Sequence, residues 1–202
     1  ELLKWAEATS SIIIEDDYNG ELRYSSRPIP ALQSADSERV IYIGSFSKML
    51  LPSVRIGYAV LTPELLKIYE SRTGCYNQTS SKIEQLALAE YIKTGELERR
   101  LRRLRKLYRE KSFLISQTLE NTFSDSPLKI KAILQETALC FILSVTTNRS
   151  AAEMLSLAKN QGVRLSLSNS DSKNTTEFKL GFGGIPTPDI VPAINALKNA
   201  WS

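Results

Sequence analysis

Val40-Ile41-Tyr42-Ile43-Gly44-Ser45-Phe46-Ser47-Lys48 is the stretch that decides the fold. Its first residues are a short apolar, β-branched run of the kind that fills a buried parallel strand, and a small, hydroxyl-rich turn ending in a lysine follows at once. Upstream, Ser11-Ile12-Ile13-Ile14 is a run of the same kind and ends in Glu15-Asp16-Asp17, with Tyr18 just after. Polar chemistry thus sits at the carboxyl end of both strands, the edge at which open α/β sheets bind ligands. Residues 55–61 make a third strand. It is closed by Thr62-Pro63-Glu64, where Thr can cap a helix and Pro fits its first position.

Farther along, Lys82–Lys93 is rich in Ala and Leu and reads as a helix. Leu97, Leu101, Leu104, Tyr108, Ile115 and Leu119 recur at helical spacing and predict one long amphipathic helix of roughly seven turns. Beyond Pro127 the pattern predicts strands at about residues 137–145, 163–167 and 178–182. A helix opened by the capping box Ser150-Ala151-Ala152-Glu153 and stopped at Gly162 separates the first two. A last helix follows Thr187-Pro188 and runs to Trp201. The expected fold class is α/β. Residues 1–96 read as the end of a large domain with a mainly parallel sheet, and residues 97–202 as a linking helix and a small α+β domain.

The strands of the first part need partners that lie upstream. Glu1-Leu2-Leu3-Lys4-Trp5-Ala6-Glu7 reads as the tail of a helix, with neither an initiator Met nor the regions of a signal peptide. The chain is therefore expected to be part of a longer cytoplasmic protein. Its 202 residues, 42% of them hydrophobic, suffice for one good core or two modest ones. No apolar run approaches the ~18 residues of a membrane span.

The absence of histidine excludes Ser-His-Asp and Cys-His nucleophile schemes and every zinc site that needs imidazole, and no metal-ligand set is read in the chain. Acid-base chemistry must rest on Lys, Asp, Glu or Tyr. Cys75 and Cys140 lie far apart and are expected to be free or buried thiols, not a disulfide. The net charge of +4 suggests nucleic acid until it is located: residues 96–111 hold eight Lys or Arg against three Glu. Those arginines surround a continuous Leu stripe with no helix-turn-helix partner before it, so the segment reads as a packed helix with a basic outer face.

A lysine after a strand means little alone, but the neighbours of Lys48 form a set. Ser45 and Ser47 offer hydroxyl donors, and Arg55 a guanidinium that can grip phosphate with two prongs. The acidic cluster and Tyr18 add a carboxylate and a phenol. Pyridoxal 5'-phosphate (PLP) requires such parts: an amine for the imine, a carboxylate for the pyridine nitrogen, a phenol for the ring hydroxyl and anion-binding groups for the phosphate.

On these residues the chain resembles a family. Glu15-Asp16-Asp17-Tyr18-Asn19-Gly20-Glu21-Leu22-Arg23-Tyr24, Pro28-Ile29-Pro30-Ala31-Leu32-Gln33-Ser34, the stretch from Val40 through Lys48 to Tyr58, and the Leu97 to Tyr108 segment are similar to the effector domain of MocR/GabR-type bacterial regulators. The resemblance covers nearly the whole chain. It implies the aspartate-aminotransferase fold (fold type I of PLP-dependent transferases), PLP as cofactor, a homodimer, and DNA binding through a winged-helix domain upstream of this chain, as in GntR-family regulators. A small amino compound, sensed by aldimine formation, is the implied effector.

Matched position by position, the resemblance makes Lys48 the Schiff-base lysine, Asp16 the pyridine-nitrogen carboxylate, Tyr18 the partner of the ring oxygen, and Ser45 and Arg55 phosphate ligands. Ser47 joins the cofactor set as a further hydroxyl. Spacing alone leaves Asp17 in competition with Asp16. Many related proteins carry Arg before Leu-Gly-Phe to grip a substrate carboxylate, where this chain has Lys179-Leu180-Gly181-Phe182, so Lys179 is the candidate substrate-binding residue and full transamination is in question. A PLP-sensing regulator leads, a working PLP-dependent aminotransferase is the alternative, and a scaffold that has lost the cofactor is a third reading. A winged-helix segment upstream of Glu1 would separate the first from the second.

Overall fold

The structure, a computed structural model, describes residues 1–17, 20–25, 29–47, 49–50, 53–74, 79–170 and 175–202. It divides into two compact units, Glu1–Arg103 and Leu104–Ser202. The division falls within one long helix, α4 (Glu96–Phe123).

In the first unit, α1 (Leu2–Thr9) ends at Ser10, which takes a left-handed conformation with φ 52°. The chain then turns into β1 (Ile13–Asp17). β2 (Val40–Ser45) lies parallel to β1, with Ile13 opposite Val40 and Asp17 opposite Gly44. β3 (Gly57–Val60) adds to β2 antiparallel, with Gly57 opposite Ser45. The antiparallel edge follows from chain length, because residues 46–56 are fewer than the dozen or so that a parallel crossover needs.

Strand alternation sorts the side chains of β1 and β2 onto two faces. Ile13 and Val40 point to a small core with Ala6, against which Leu3 and Leu32 pack. Ile14 and Ile43 point the other way and are exposed. α2 (Pro63–Thr73) and α3 (Lys82–Lys93) follow β3. The Thr62 hydroxyl accepts from Leu65 N at 3.4 Å, with Pro63 at the first helical position as expected, and Ser81 caps α3 in the same way.

The second unit holds an antiparallel sheet in the order β4 (Ile130–Gln135), β5 (Cys140–Thr146), β7 (Thr175–Gly181), β6 (Ser166–Ser170). Its core joins Phe141, Leu143, Val145, Phe178 and Leu180 of the sheet to Met154 and Ala158 of α5 (Ala151–Asn160) and Ile194, Leu197 and Trp201 of α6 (Ile190–Trp201). Trp201 stacks on Phe178 at 5.3 Å and donates its indole N–H to Met154 O at 3.1 Å, so its one polar atom is satisfied inside the core. Each such large side chain contributes about 1.5–3 kcal/mol by leaving water. Cys140 is buried here, whereas Cys75 lies outside the described residues.

The structure adds one strand to this unit, β4, and moves other boundaries: the strand expected at residues 137–145 begins at Cys140, and β7 begins at Thr175, ahead of Phe178. Val163 serves the end of α5 instead of opening a strand. Gly162 has φ 79°, Gly162 N donates to Lys159 O and Val163 N to Ala158 O, both at 2.9 Å, and the Val163 side chain is buried, as the apolar residue after a Schellman turn usually is. Among the described residues no helix is long and apolar enough to cross a membrane.

Candidate functional site

The parallel register brings the acidic end of β1 level with the turn that follows β2, because Asp16 pairs with Ile43 and Asp17 with Gly44. Alternation then separates the two carboxylates. Asp16 shares a sheet face with Ile43 and Ser45, and Asp17 shares the opposite face with Tyr42.

The Asp17 face is occupied. Tyr42 Oη donates to Asp17 Oδ2 at 3.0 Å, and the Tyr42 ring lies 6.0 Å from that of Tyr58, which in turn lies 5.3 Å from Phe46. Tyr58 lies over Gly44 so closely that a Cβ there would fall 2.4 Å from Tyr58 Cζ, and a Cβ on Gly20 would fall 2.2 Å from the Asp17 carboxylate oxygens. Both glycines are needed for the packing of this face. Burial, followed by the hydrogen bond to Asp17, pushes the Tyr42 phenol well above its usual range. Burial, followed by the Glu21 carboxylate, raises Tyr58.

The Asp16 face is open. Asp16 is exposed, and its carboxylate has no hydrogen bond or ion pair among the described residues. The half-buried Ser45 hydroxyl oxygen accepts from Ser47 N at 3.3 Å, which leaves its proton uncommitted among the described residues. Arg55, two positions before the residue that pairs with Ser45, is exposed and has no ion pair among the described residues. Ser47 differs: it is 8% exposed and donates its hydroxyl proton to Val54 O at 2.7 Å, so in this arrangement it clasps the turn. Lys48 and Tyr18 lie outside the described residues.

Lys179 belongs to the second unit. It is exposed on β7, opposite Ile142 and Ser166, on the sheet face away from buried Phe178 and Leu180.

Three contributors escaped the sequence reading. Glu15 accepts from Leu32 N at 3.0 Å and Gln33 N at 3.1 Å, tying β1 to the 3-10 turn Leu32–Ser34. That bond links two of the motifs on which the family resemblance rests. Tyr42 holds Asp17. Arg100, at the start of α4, donates from Nε to Met49 O at 2.8 Å and from Nη2 to Leu50 O at 3.0 Å. Alternation places Glu15 and Tyr42 on the Ile13 face, a signal already present in the sequence, whereas nothing local announces a bond from Arg100 across 51 residues.

The donor set fits PLP. A carboxylate unpartnered among the described residues suits a protonated pyridine nitrogen, and a hydroxyl and guanidinium uncommitted among them suit phosphate oxygens.

No protein-family model matches the chain. It is 42% identical along its whole length to the uncharacterized HTH-type transcriptional regulator YdeL of Bacillus subtilis, of which it covers 44%. Over 99% of its length it is 34% identical to the probable rhizopine catabolism regulatory protein MocR of Rhizobium meliloti, of which it covers 41%. The chain therefore spans less than half the length of these curated relatives. Among solved structures it is similar to a kynurenine aminotransferase of Pyrococcus horikoshii in complex with PMP. The TM-score is 0.77 and the identity 26%, over 98% of this chain and 50% of that one. The fold is that of the fold type I, PLP-dependent aminotransferases.

Proposed function

We propose, for a chain that belongs with the HTH-type transcriptional regulators of the MocR/PdxR kind as their aminotransferase-like part, that it is the effector-sensing domain, holding PLP at Lys48 and registering an amino compound there. The observation that carries this reading is the sharing of one sheet face by Asp16 and Ser45, the Asp16 carboxylate and the Ser45 hydroxyl proton being uncommitted among the described residues, at the strand end that leads into Lys48.

PLP, when bound, supplies an electrophilic carbon for an amine and an electron-poor ring. Asp16 holds the proton on the pyridine nitrogen. Ser45 and Arg55 would hold the phosphate, a group for which a guanidinium is well suited. Tyr18 donates to the ring oxygen. Lys48 would hold the cofactor through its ε-amino group, at the position an amino compound would approach. Ser47 shapes the turn through Val54 and reaches the phosphate only by giving up that bond. Lys179 meets the acidic group of the effector as a point charge, without the planar fork of arginine.

In the whole protein this domain is cytoplasmic and dimeric, and it passes the binding event to a winged-helix domain that contacts DNA. A bound effector shifts the signalling state only through different affinities for the two states, which favours an effector that is held and not consumed. The working aminotransferase remains the second reading, and the aminotransferase fold is the observation in its favour.

Borohydride reduction of the PLP-loaded full-length protein, followed by peptide mapping, tests the proposal. The adduct is expected on Lys48, and an adduct on another lysine refutes it.

A further inference from the structure

Phe46 O accepts from Leu50 N at 3.1 Å, which closes a single helical turn with Phe46 and Leu50 at its ends. A helical turn finishes with carbonyls that have no partner within it. Here those of Met49 and Leu50 are taken by one side chain, the Arg100 guanidinium, through Nε at 2.8 Å and Nη2 at 3.0 Å. Ser47 fixes the other side of the same turn, through its hydroxyl on Val54 O. Met49 itself is 3% exposed, so the turn is anchored by burial on one side and by charge-assisted hydrogen bonds on the other.

The described neighbours of residue 48 in the sequence, Ser47 before it and Met49 and Leu50 after it, are thus each anchored. The guanidinium lines a cavity with Leu50, Val54, Glu84, Leu88 and Tyr91. We infer that Arg100 is a positioning residue for Lys48, holding through the Met49 and Leu50 carbonyls the residues that follow the lysine in the chain. This rests on the reading of Lys48 as the PLP attachment site. The planar fork matters, because two adjacent carbonyls are met by two donors of one rigid group, whereas a lysine ammonium is a point charge on a flexible stem. Arg100 is thereby set apart from Arg102 on the same helix, which is exposed and reaches only Glu98, at 3.9 Å.

The test uses the full-length protein and the variants Arg100→Lys, Arg100→Gln and, as a control, Arg102→Gln. Deuterium uptake by the peptide spanning residues 45–56 is followed in the cofactor-free protein. The release rate of PLP and the pH midpoint of its absorbance are followed in the loaded protein. Both Arg100 variants are expected to raise uptake in that peptide and to speed PLP release by about tenfold or more, as loss of charged hydrogen bonds implies, with a displaced pH midpoint. Arg102→Gln should match the parent in every measurement. Parent-like uptake in both Arg100 variants overturns the inference. Raised uptake with an unmoved release rate and pH midpoint also overturns it, since Arg100 would then be a tie with no bearing on the lysine. If the parent carries no PLP on Lys48, the functional reading fails, and the deuterium measurement alone decides whether Arg100 holds the turn.

Discussion

Tyr42 Oη donates to Asp17 Oδ2 at 3.0 Å, and this one bond makes two neighbouring carboxylates unequal. Consecutive residues of a strand face opposite sides, so fastening Asp17 to the tyrosine face fixes Asp16 on the face of Ser45. The Glu15-Asp16-Asp17 cluster therefore divides into three tasks. Glu15 ties the Leu32–Ser34 turn, Asp17 holds Tyr42, and the Asp16 carboxylate has no partner among the described residues.

Asp16→Asn should weaken PLP binding to the full-length protein by about ten- to a hundredfold, the worth of one charged hydrogen bond, with its melting temperature unchanged. Asp17→Asn should do the reverse. It should cost about 1–3 kcal/mol of stability, because the Tyr42 hydroxyl loses its charged acceptor, while PLP affinity stays near that of the parent. Cofactor titration and thermal unfolding of both variants make the comparison, and equal losses of affinity would contradict the division of tasks.

The same bond predicts a pH dependence. Tyr42 and Tyr58 are both raised in the folded protein, first by burial. The folded state then holds these phenolic protons more tightly than the unfolded chain. The resulting stabilisation is full below the ordinary phenol value of about 10 and is lost as the pH climbs above it. Tyr42→Phe removes its own share. Unfolding measured from neutral pH upward should show the parent more stable than Tyr42→Phe at neutral pH, with the gap closing once the pH passes about 10. A gap independent of pH would show that Tyr42 contributes only by packing.

The strand frame was legible because its signals are local: β-branched runs, an acidic strand end, Thr62-Pro63 at a helix start. The placement of Asp16 and Ser45 at the ends of adjacent strands was legible for the same reason. Strand β4 was missed because its residues Ile130-Lys131-Ala132-Ile133-Leu134-Gln135 do not alternate cleanly, as suits a strand at the edge of the sheet order. Val163 looked like the start of a strand because an apolar residue after a glycine serves a Schellman turn equally well. The Arg100 bonds were illegible, since in sequence that arginine is one of eight basic residues in a charged segment and only folding selects it.

Glu15→Gln tests the link between the two motifs. Its carboxylate accepts from two consecutive backbone N–H groups, and an amide offers one oxygen where the carboxylate offered two. Deuterium uptake at residues 31–35 should rise, with a loss of about 1–3 kcal/mol in local stability. Peptides from the second unit, such as the one holding Phe178, should exchange as in the parent.

The basic helix is not expected to read DNA. Arg99 pairs with Glu96, Arg102 with Glu98, and Lys106 with Glu110, so part of its charge is neutralised along its own surface. The double variant Arg102→Gln, Lys106→Gln should leave sequence-specific DNA binding by the full-length protein within about threefold of the parent, since removal of one or two phosphate contacts would instead weaken it and flatten its salt dependence. A loss of specificity in that variant would make α4 part of the DNA interface.

The full-length protein should bind an amino compound at Lys48 yet turn it over slowly or not at all. Binding needs only that Lys48 be displaced by an amine while Asp16 and Tyr18 hold the ring. Turnover also needs the substrate fixed so that its α-proton points at the freed lysine, and misplacement by about 1 Å can lower the rate on the order of a hundredfold. The group matched to the grip on an α-carboxylate is Lys179, exposed on β7 and lacking the two-pronged geometry of arginine. Lys179→Arg restores that geometry, so it should raise any residual transamination more than it raises amine affinity. Following the cofactor absorbance and the keto-acid product together, for parent and variant, separates binding from turnover. Multiple turnover by the parent at roughly 1 per second or faster, a rate typical of metabolic enzymes, would refute the sensing role and favour the aminotransferase.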